Sequence, residues 1–146
     1  MIFIRGDKLN EHQIEELYEL HRSVYNYTEI FDVFKRELKE FYILYRNLND
    51  KNILGYINVE RKENTLNIKW IYGPGYGKLI IFNIENHFRK KNFKRLILEI
   101  SINQLEKKDV VLKRFNFFIR NKYRTYDYIF KSEYNIILKL EKNIWI

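Results

Sequence analysis

The chain has no cysteine among its 146 residues, which excludes disulfides, zinc–thiolate centres and cysteine nucleophiles. It has one proline, Pro74, and five glycines, so breakers of helix and strand are few and their positions carry weight. It has three histidines, His12, His21 and His87. They have no third ligand at metal-like spacing, so they read as structural and no metal is expected. No apolar run approaches the roughly 18 residues of a membrane span. The opening Met1-Ile2-Phe3-Ile4-Arg5-Gly6-Asp7 is charged too early for a signal peptide. Neither a Gly-x-Ser-x-Gly elbow nor a phosphate-binding loop ending in Lys-Ser/Thr occurs. These absences point to a soluble, cytoplasmic protein with no membrane partner.

What is present points to a globular chain. Hydrophobic residues make up 46% and aromatic residues 17% of the sequence, enough for one packed domain spanning residues 1–146. The net charge is +8, a balance that attracts polyanions such as nucleic acid, acidic membranes or nucleotide cofactors without choosing among them.

Periodicity divides the chain into strands and helices. Ile2 to Arg5 reads as a strand. Asn10 with Gln13 forms a capping box before Ile14, Leu17, Tyr18, His21 and Tyr25 at helical spacing. Thr28 is placed to cap a second helix carrying Phe31, Phe34 and Leu38. Strands are expected over Phe41–Arg46, Ile53–Arg61 and Thr65–Tyr72, joined by turns as an antiparallel meander. A helix to about Lys90, a strand over Lys94–Ser101 and a helix from Gln104 to Arg114 follow. Phe117–Tyr128 reads as extended, and Tyr134–Leu140 as a last strand. The order is β-α-α-β-β-β-α-β-α-β-β, an α/β chain with a mixed, largely antiparallel sheet and helices on both faces. The strands flanking the third helix should run parallel.

The segment Tyr72-Gly73-Pro74-Gly75-Tyr76-Gly77-Lys78 holds three of the five glycines and the only proline. It lies between an apolar strand and an apolar helix. In that setting backbone N–H groups can converge on a phosphate at a helix N-terminus. A tight structural turn accounts for the same glycines.

The element order and four short stretches resemble the GNAT superfamily of acyl-CoA N-acyltransferases. Ile53-Leu54-Gly55-Tyr56-Ile57 is similar to the family's third strand. Tyr72, Gly75 and Gly77 fall where the family has Gln or Arg and its two loop glycines. Leu96-Ile97-Leu98-Glu99-Ile100 is similar to the fifth strand. Asn116-Phe117 stands at the family's Gly-Phe step into the sixth strand.

The resemblance implies a single GNAT-like domain that transfers an acetyl group from acetyl-CoA, or another acyl group from its CoA ester, to an unknown amine in a ternary complex. It implies that Gly73, Gly75, Tyr76, Gly77 and Lys78 hold the pyrophosphate. It also implies that Ile71 and Tyr72 pair with pantetheine where the fourth and fifth strands splay. Counting four residues back from Asn116 places the family's proton-donating tyrosine at Leu112, which has no proton to give. Glu99 is then the candidate base, Tyr123 and Tyr126 are candidate acids, and Ser101 and Asn103 are candidate acyl-site residues.

Each of these has a plainer reading. Glu99 suits a solvated or lysine-paired strand carboxylate, the tyrosines suit packing, and Ser101 or Asn103 suits a helix cap. Leu112 also leaves open a catalytically silent module that binds a protein or nucleic acid. Arg114, Arg120, Lys122 and Arg124 interleave with Phe115, Phe117, Phe118, Tyr123 and Tyr126, a composition that grips single strands. Alternation in a half-buried strand gives the same pattern. Glu11, Glu15, Glu16, Glu29, Asp32 and Glu37 make the first two helices acidic, which suits a cationic amine or a solvated face.

Overall fold

Asn10 caps the first helix as its sequence pattern requires: its side chain accepts from the Gln13 amide, and the Gln13 side chain accepts from the Asn10 amide. The structure, a computed structural model, describes residues 1–47, 49, 52–103 and 108–145, with the backbone alone at 103, 108 and 109. The elements are β1 (Ile2–Arg5), α1 (Glu11–Tyr25), α2 (Phe31–Arg36), β2 (Phe41–Tyr45), β3 (Ile53–Lys62), β4 (Thr65–Tyr72), α3 (Gly77–Arg89), β5 (Arg95–Asn103), α4 (Lys108–Arg120), β6 (Arg124–Ser132) and β7 (Asn135–Asn143). Their order is the expected one.

The seven strands lie in the order β1-β2-β3-β4-β5-β7-β6. β4 and β5 pair in parallel, from Thr65↔Arg95 to Ile68↔Leu98. β1–β2, β2–β3, β5–β7 and β6–β7 are antiparallel. Among the described residues no helix is long and apolar enough to cross a membrane.

Contacts group the chain into two compact units, residues 1–59 with 70–84 and residues 60–69 with 85–146. In the first unit β2 is buried at every position, so both of its faces are covered. Leu17 of α1, Phe34 of α2 and Leu38 pack on Phe41, Ile43, Tyr45 and Tyr56. α3 takes the opposite face, where Ile80 meets the backbone at Gly55 and Gly73. In the second unit Leu96, Leu98 and Ile100 are buried, while Glu99 and Ser101, which alternate with them, are exposed. Phe118, Tyr123, Leu140 and Ile144 are also buried there.

β5 and β7 run past their expected ends, to Asn103 and Asn143, and three other boundaries depart from the sequence expectation. α2 has no side-chain cap; its N-cap residue is Ile30 rather than Thr28. The fourth helix extends to Arg120 instead of stopping at Arg114, and its expected start at Gln104 lies outside the described residues. β6 therefore begins at Arg124, and Phe117–Tyr128 is not one strand.

The reason is a six-residue stop at the end of α4. Lys122 adopts a left-handed φ of 72°. Its amide donates to Ile119 at 3.0 Å, and the Tyr123 amide donates to Phe118 at 2.9 Å. The Phe118 and Tyr123 rings close the motif at 5.3 Å. α3 ends the same way, with Asn92 at φ 65° and the Phe93 amide donating to Phe88.

Candidate functional site

In the first unit β4 runs without a break into the glycine segment. The Tyr76 amide donates to the Gly73 carbonyl at 2.8 Å, with Pro74 and Gly75 between them and Gly75 at φ +80°. Proline followed by a positive-φ glycine is the signature of a type II turn. A Cβ at Gly75 would meet nothing within 4 Å, so the glycine is required by backbone angle, and the space beside it is open.

The turn delivers the chain directly into α3. The Ile80 amide donates to Tyr76 at 3.0 Å, the first bond of the helix. The amides of Gly77, Lys78 and Leu79 precede that bond and have no partner within the helix. They carry the positive end of the helix dipole, and Lys78 beside them is exposed. An anion of pyrophosphate type fits this cradle by charge and by open space.

Gly73 and Gly55 do a different job. A Cβ at Gly55 would stand 2.6 Å from the Tyr72 carbonyl oxygen and 2.8 Å from the Gly73 Cα. The two glycines let β3 and the start of the turn approach backbone to backbone. The Tyr72 ring meets the Tyr56 ring at 5.9 Å in a tilted contact and packs against the first unit's core.

Ile71 is already engaged. The Tyr25 hydroxyl, from the last turn of α1, donates to the Ile71 carbonyl and accepts from the Ile71 amide at 3.2 Å. A strand residue presents both groups toward the same edge, so this edge of β4 is closed by a side chain at Ile71. The space beside Gly75 is open, whereas an extended amide ligand at Ile71 fits only if Tyr25 moves.

His21 is fully buried among Tyr27, Phe41, Tyr56 and Trp70, with its ring 5.6 Å from that of Tyr25. Its Nδ1 shares a 2.8 Å hydrogen bond with the Tyr56 hydroxyl, and Nε2 has no hydrogen-bond partner among the described atoms. Burial lowers the imidazole pKa to about 4, so the ring is neutral at pH 7. A groove of about 560 Å³ lies along α1, lined by Glu15, Glu16 and Glu19 with His12, Asn52 and Ile53. His12 pairs with Glu16 at 2.9 Å.

The other expected site residues lie in the second unit. Glu99 is exposed and sits opposite Lys139, which in turn sits opposite Asp127. The three form a row of alternating charge across β5, β7 and β6. Ser101 is exposed, and its hydroxyl donates to the Asn135 side chain at 3.3 Å. The Asn103 side chain lies outside the described residues.

Tyr126 is exposed, with the Arg95 guanidinium 5.9 Å from its ring centre. Tyr123 is buried, and its hydroxyl has no hydrogen-bond partner among the described atoms. Burial, and then the charge of Glu85, raises its pKa well above the usual phenol range. As placed, this phenol keeps its proton and does not reach solvent.

Asn116-Phe117 is not a step into a strand, because both residues lie inside α4. The helix-to-strand step is Lys122-Tyr123, where the left-handed residue stands. Counting four residues back from Lys122 gives Phe118 rather than Leu112, and Phe118 has no hydroxyl either. Leu112 is an exposed residue of α4. The signal for this step was the aromatic pair spaced by five residues, Phe118 and Tyr123, which repeats at Phe88 and Phe93.

No family model and no curated protein matches the sequence. Solved structures do match. A Desulfovibrio desulfuricans protein assigned to the GNAT family of acetyltransferases aligns at 16% identity and TM-score 0.72 over 98% of each chain. The Enterococcus faecium aminoglycoside 6'-N-acetyltransferase aligns at 11% identity and TM-score 0.75 over 99% of this chain and 97% of that one. Arabidopsis thaliana NAA60, solved in complex with acetyl-CoA, aligns at 10% identity and TM-score 0.67 over 98% of each chain. The chain has the fold of the GNAT-family N-acetyltransferases.

Proposed function

We propose that this protein is an N-acetyltransferase that uses acetyl-CoA, or a related acyl-CoA, to acylate an amine. The observation that carries the reading is the Pro74-Gly75 turn opening onto the first amides of α3, within a GNAT fold. Gly75, Tyr76, Gly77 and Lys78 would hold the pyrophosphate, with Gly73 shaping the turn. Ile71 and Tyr72 would offer strand backbone to the pantetheine arm once the Tyr25 hydroxyl leaves Ile71.

The CoA thioester supplies the activated acyl group. The amine nitrogen attacks the thioester carbonyl, the new C–N bond forms, and the C–S bond breaks. The thiolate takes up a proton as the nitrogen loses one. In this reading Glu99 accepts the amine proton, and Tyr126, the exposed member of the tyrosine pair, is the proton donor. Ser101 and Asn103 would line the acyl side.

The acidic groove along α1 favours a cationic amine as acceptor. The same reading puts the protein in the cytoplasm. Release of free CoA thiol from acetyl-CoA across a panel of polyamines, aminoglycosides and peptide N-termini tests it. Turnover with one class supports the reading. Absence of thiol release with every class, at saturating acetyl-CoA, contradicts it.

A further inference from the structure

The chain's positive charge is not evenly spread. The second unit carries 18 Lys and Arg against 9 Asp and Glu, a net +9. The first carries 9 against 10, a net −1, so the whole +8 excess belongs to the second unit. A unit with this excess of basic charge attracts polyanions.

That unit also holds a pocket of about 420 Å³, lined by Lys94, Arg95, Arg124, Glu141, Asn143 and Trp145. Arg95, Glu141 and Asn143 share the sheet face that carries Glu99 and Ser101. The Glu141 carboxylate receives Arg95 on one oxygen and Arg124 on the other, each at 2.9 Å. It holds both guanidiniums, and the Arg95 Nε also donates to the Thr65 hydroxyl at 3.3 Å. With Lys94 the lining has three cations against one anion.

The aromatic part is equally well anchored. The Lys94 carbonyl accepts from the amides of Ile144 and Trp145, at 2.8 and 3.2 Å. Ile144 is buried, and its carbonyl accepts from Arg89 at 2.9 Å. Trp145 is held by this backbone yet is 52% exposed, with the Lys94 ammonium 5.6 Å from its ring centre. An indole this exposed gains little from packing at its site. Its position is set by the backbone.

We propose that this pocket binds a single-stranded nucleic acid segment, with a base stacking on Trp145 and its phosphates on Arg95, Arg124 and Lys94. Phosphate accounts for the paired guanidiniums, and a planar base accounts for the open indole face. An acidic peptide would need the cations and not the ring. The proposal does not rest on the proposed acetyl transfer, although Arg95 also touches the ring of Tyr126, the proposed proton donor.

The test is fluorescence anisotropy of a labelled 12-nucleotide oligo-uridine against the full chain, from 50 to 300 mM salt. Binding should be seen at 50 mM and should weaken as salt rises. Trp145→Ala should weaken it about tenfold with the salt slope unchanged, and Trp145→Phe should retain most of it. Lys94→Ala with Arg124→Ala should weaken binding and flatten the log–log salt slope by about 1.4. Circular dichroism melts confirm that each variant is folded.

Absence of binding at 50 mM salt overturns the proposal. So does binding indifferent to Trp145 and to the Lys94/Arg124 pair, which would be diffuse charge attraction. Uridine monophosphate binding as tightly as the oligomer, with the same Trp145 dependence, would make this a mononucleotide site and overturn the assignment to a strand.

Discussion

The Tyr25 hydroxyl occupies both backbone polar groups of Ile71, donating to its carbonyl and accepting from its amide. The two residues are 46 positions apart, one at the end of α1 and the other near the end of β4. A β4 edge that would accept an amide-bearing ligand is thus satisfied from within the protein.

Tyr25→Phe separates the two consequences of that contact. The variant leaves two partly buried backbone groups without their partner, which should lower stability by about 1–3 kcal/mol in urea unfolding. It also removes the group that a pantetheine amide would have to displace. If Ile71 is a ligand-pairing position, acetyl-CoA should bind the variant more tightly than the wild type in calorimetry. Weaker binding would mean that Tyr25 supports the ligand instead of competing with it.

The loop glycines should fail for different reasons. Gly75→Ala places a side chain in open space but at φ +80°, at a cost of about 1–2 kcal/mol. Gly55→Ala puts a Cβ 2.6 Å from the Tyr72 carbonyl oxygen and 2.8 Å from the Gly73 Cα, both backbone atoms that cannot rotate aside. The turn must move away from β3, so the loss should exceed that of Gly75→Ala, and acetyl-CoA affinity should fall with it. Thermal melts and calorimetry on both variants check the ranking.

His21 gives the fold a measurable pH dependence. Its pKa is about 4 in the folded chain against 6.5 ordinarily. Above pH 6.5 the ring is neutral in both states and contributes no slope. Between pH 6.5 and 4 the unfolded chain takes up a proton that the folded chain refuses, so stability falls as pH falls, by about 3 kcal/mol over the window. Replacing His21 and its partner Tyr56 together with Phe should flatten the urea midpoint over that interval. An unchanged slope would remove His21 as its source.

Lys142 and Glu85 form an ion pair in the second unit, with the second carboxylate oxygen at 3.0 Å and Glu85 only 4% exposed. Lys142→Met strands a buried carboxylate and should cost about 3 kcal/mol in urea unfolding. Glu85→Leu combined with Lys142→Met should recover most of that loss. The contrast distinguishes a stranded charge from lost packing.

Local patterns in the sequence located most of the fold. The capping box at Asn10 and Gln13 and the strand–glycine–helix segment at 65–89 act within a few residues, and each appears as read. The end of α3 was legible near Lys90 from its basic residues, whereas the end of α4 was not, because Lys122 takes a left-handed position that glycine normally marks. Its signal was the buried Tyr123 five residues after the buried Phe118. That error carried Asn116-Phe117 into a strand step it does not form.

The site was legible only where it is local. Pro74 and Gly75 specify their turn by themselves, whereas Tyr25 on Ile71 and Glu141 between Arg95 and Arg124 join residues distant in sequence. No spacing rule reaches such pairs.

The central claim is that the Pro74-Gly75 turn and the first amides of α3 form a CoA pyrophosphate site. Isothermal titration of the wild-type chain with acetyl-CoA tests it most directly. The account predicts a saturable heat with one site per chain, and an affinity reduced in Gly55→Ala. Absence of heat, together with an unchanged melting temperature at millimolar acetyl-CoA, would contradict it.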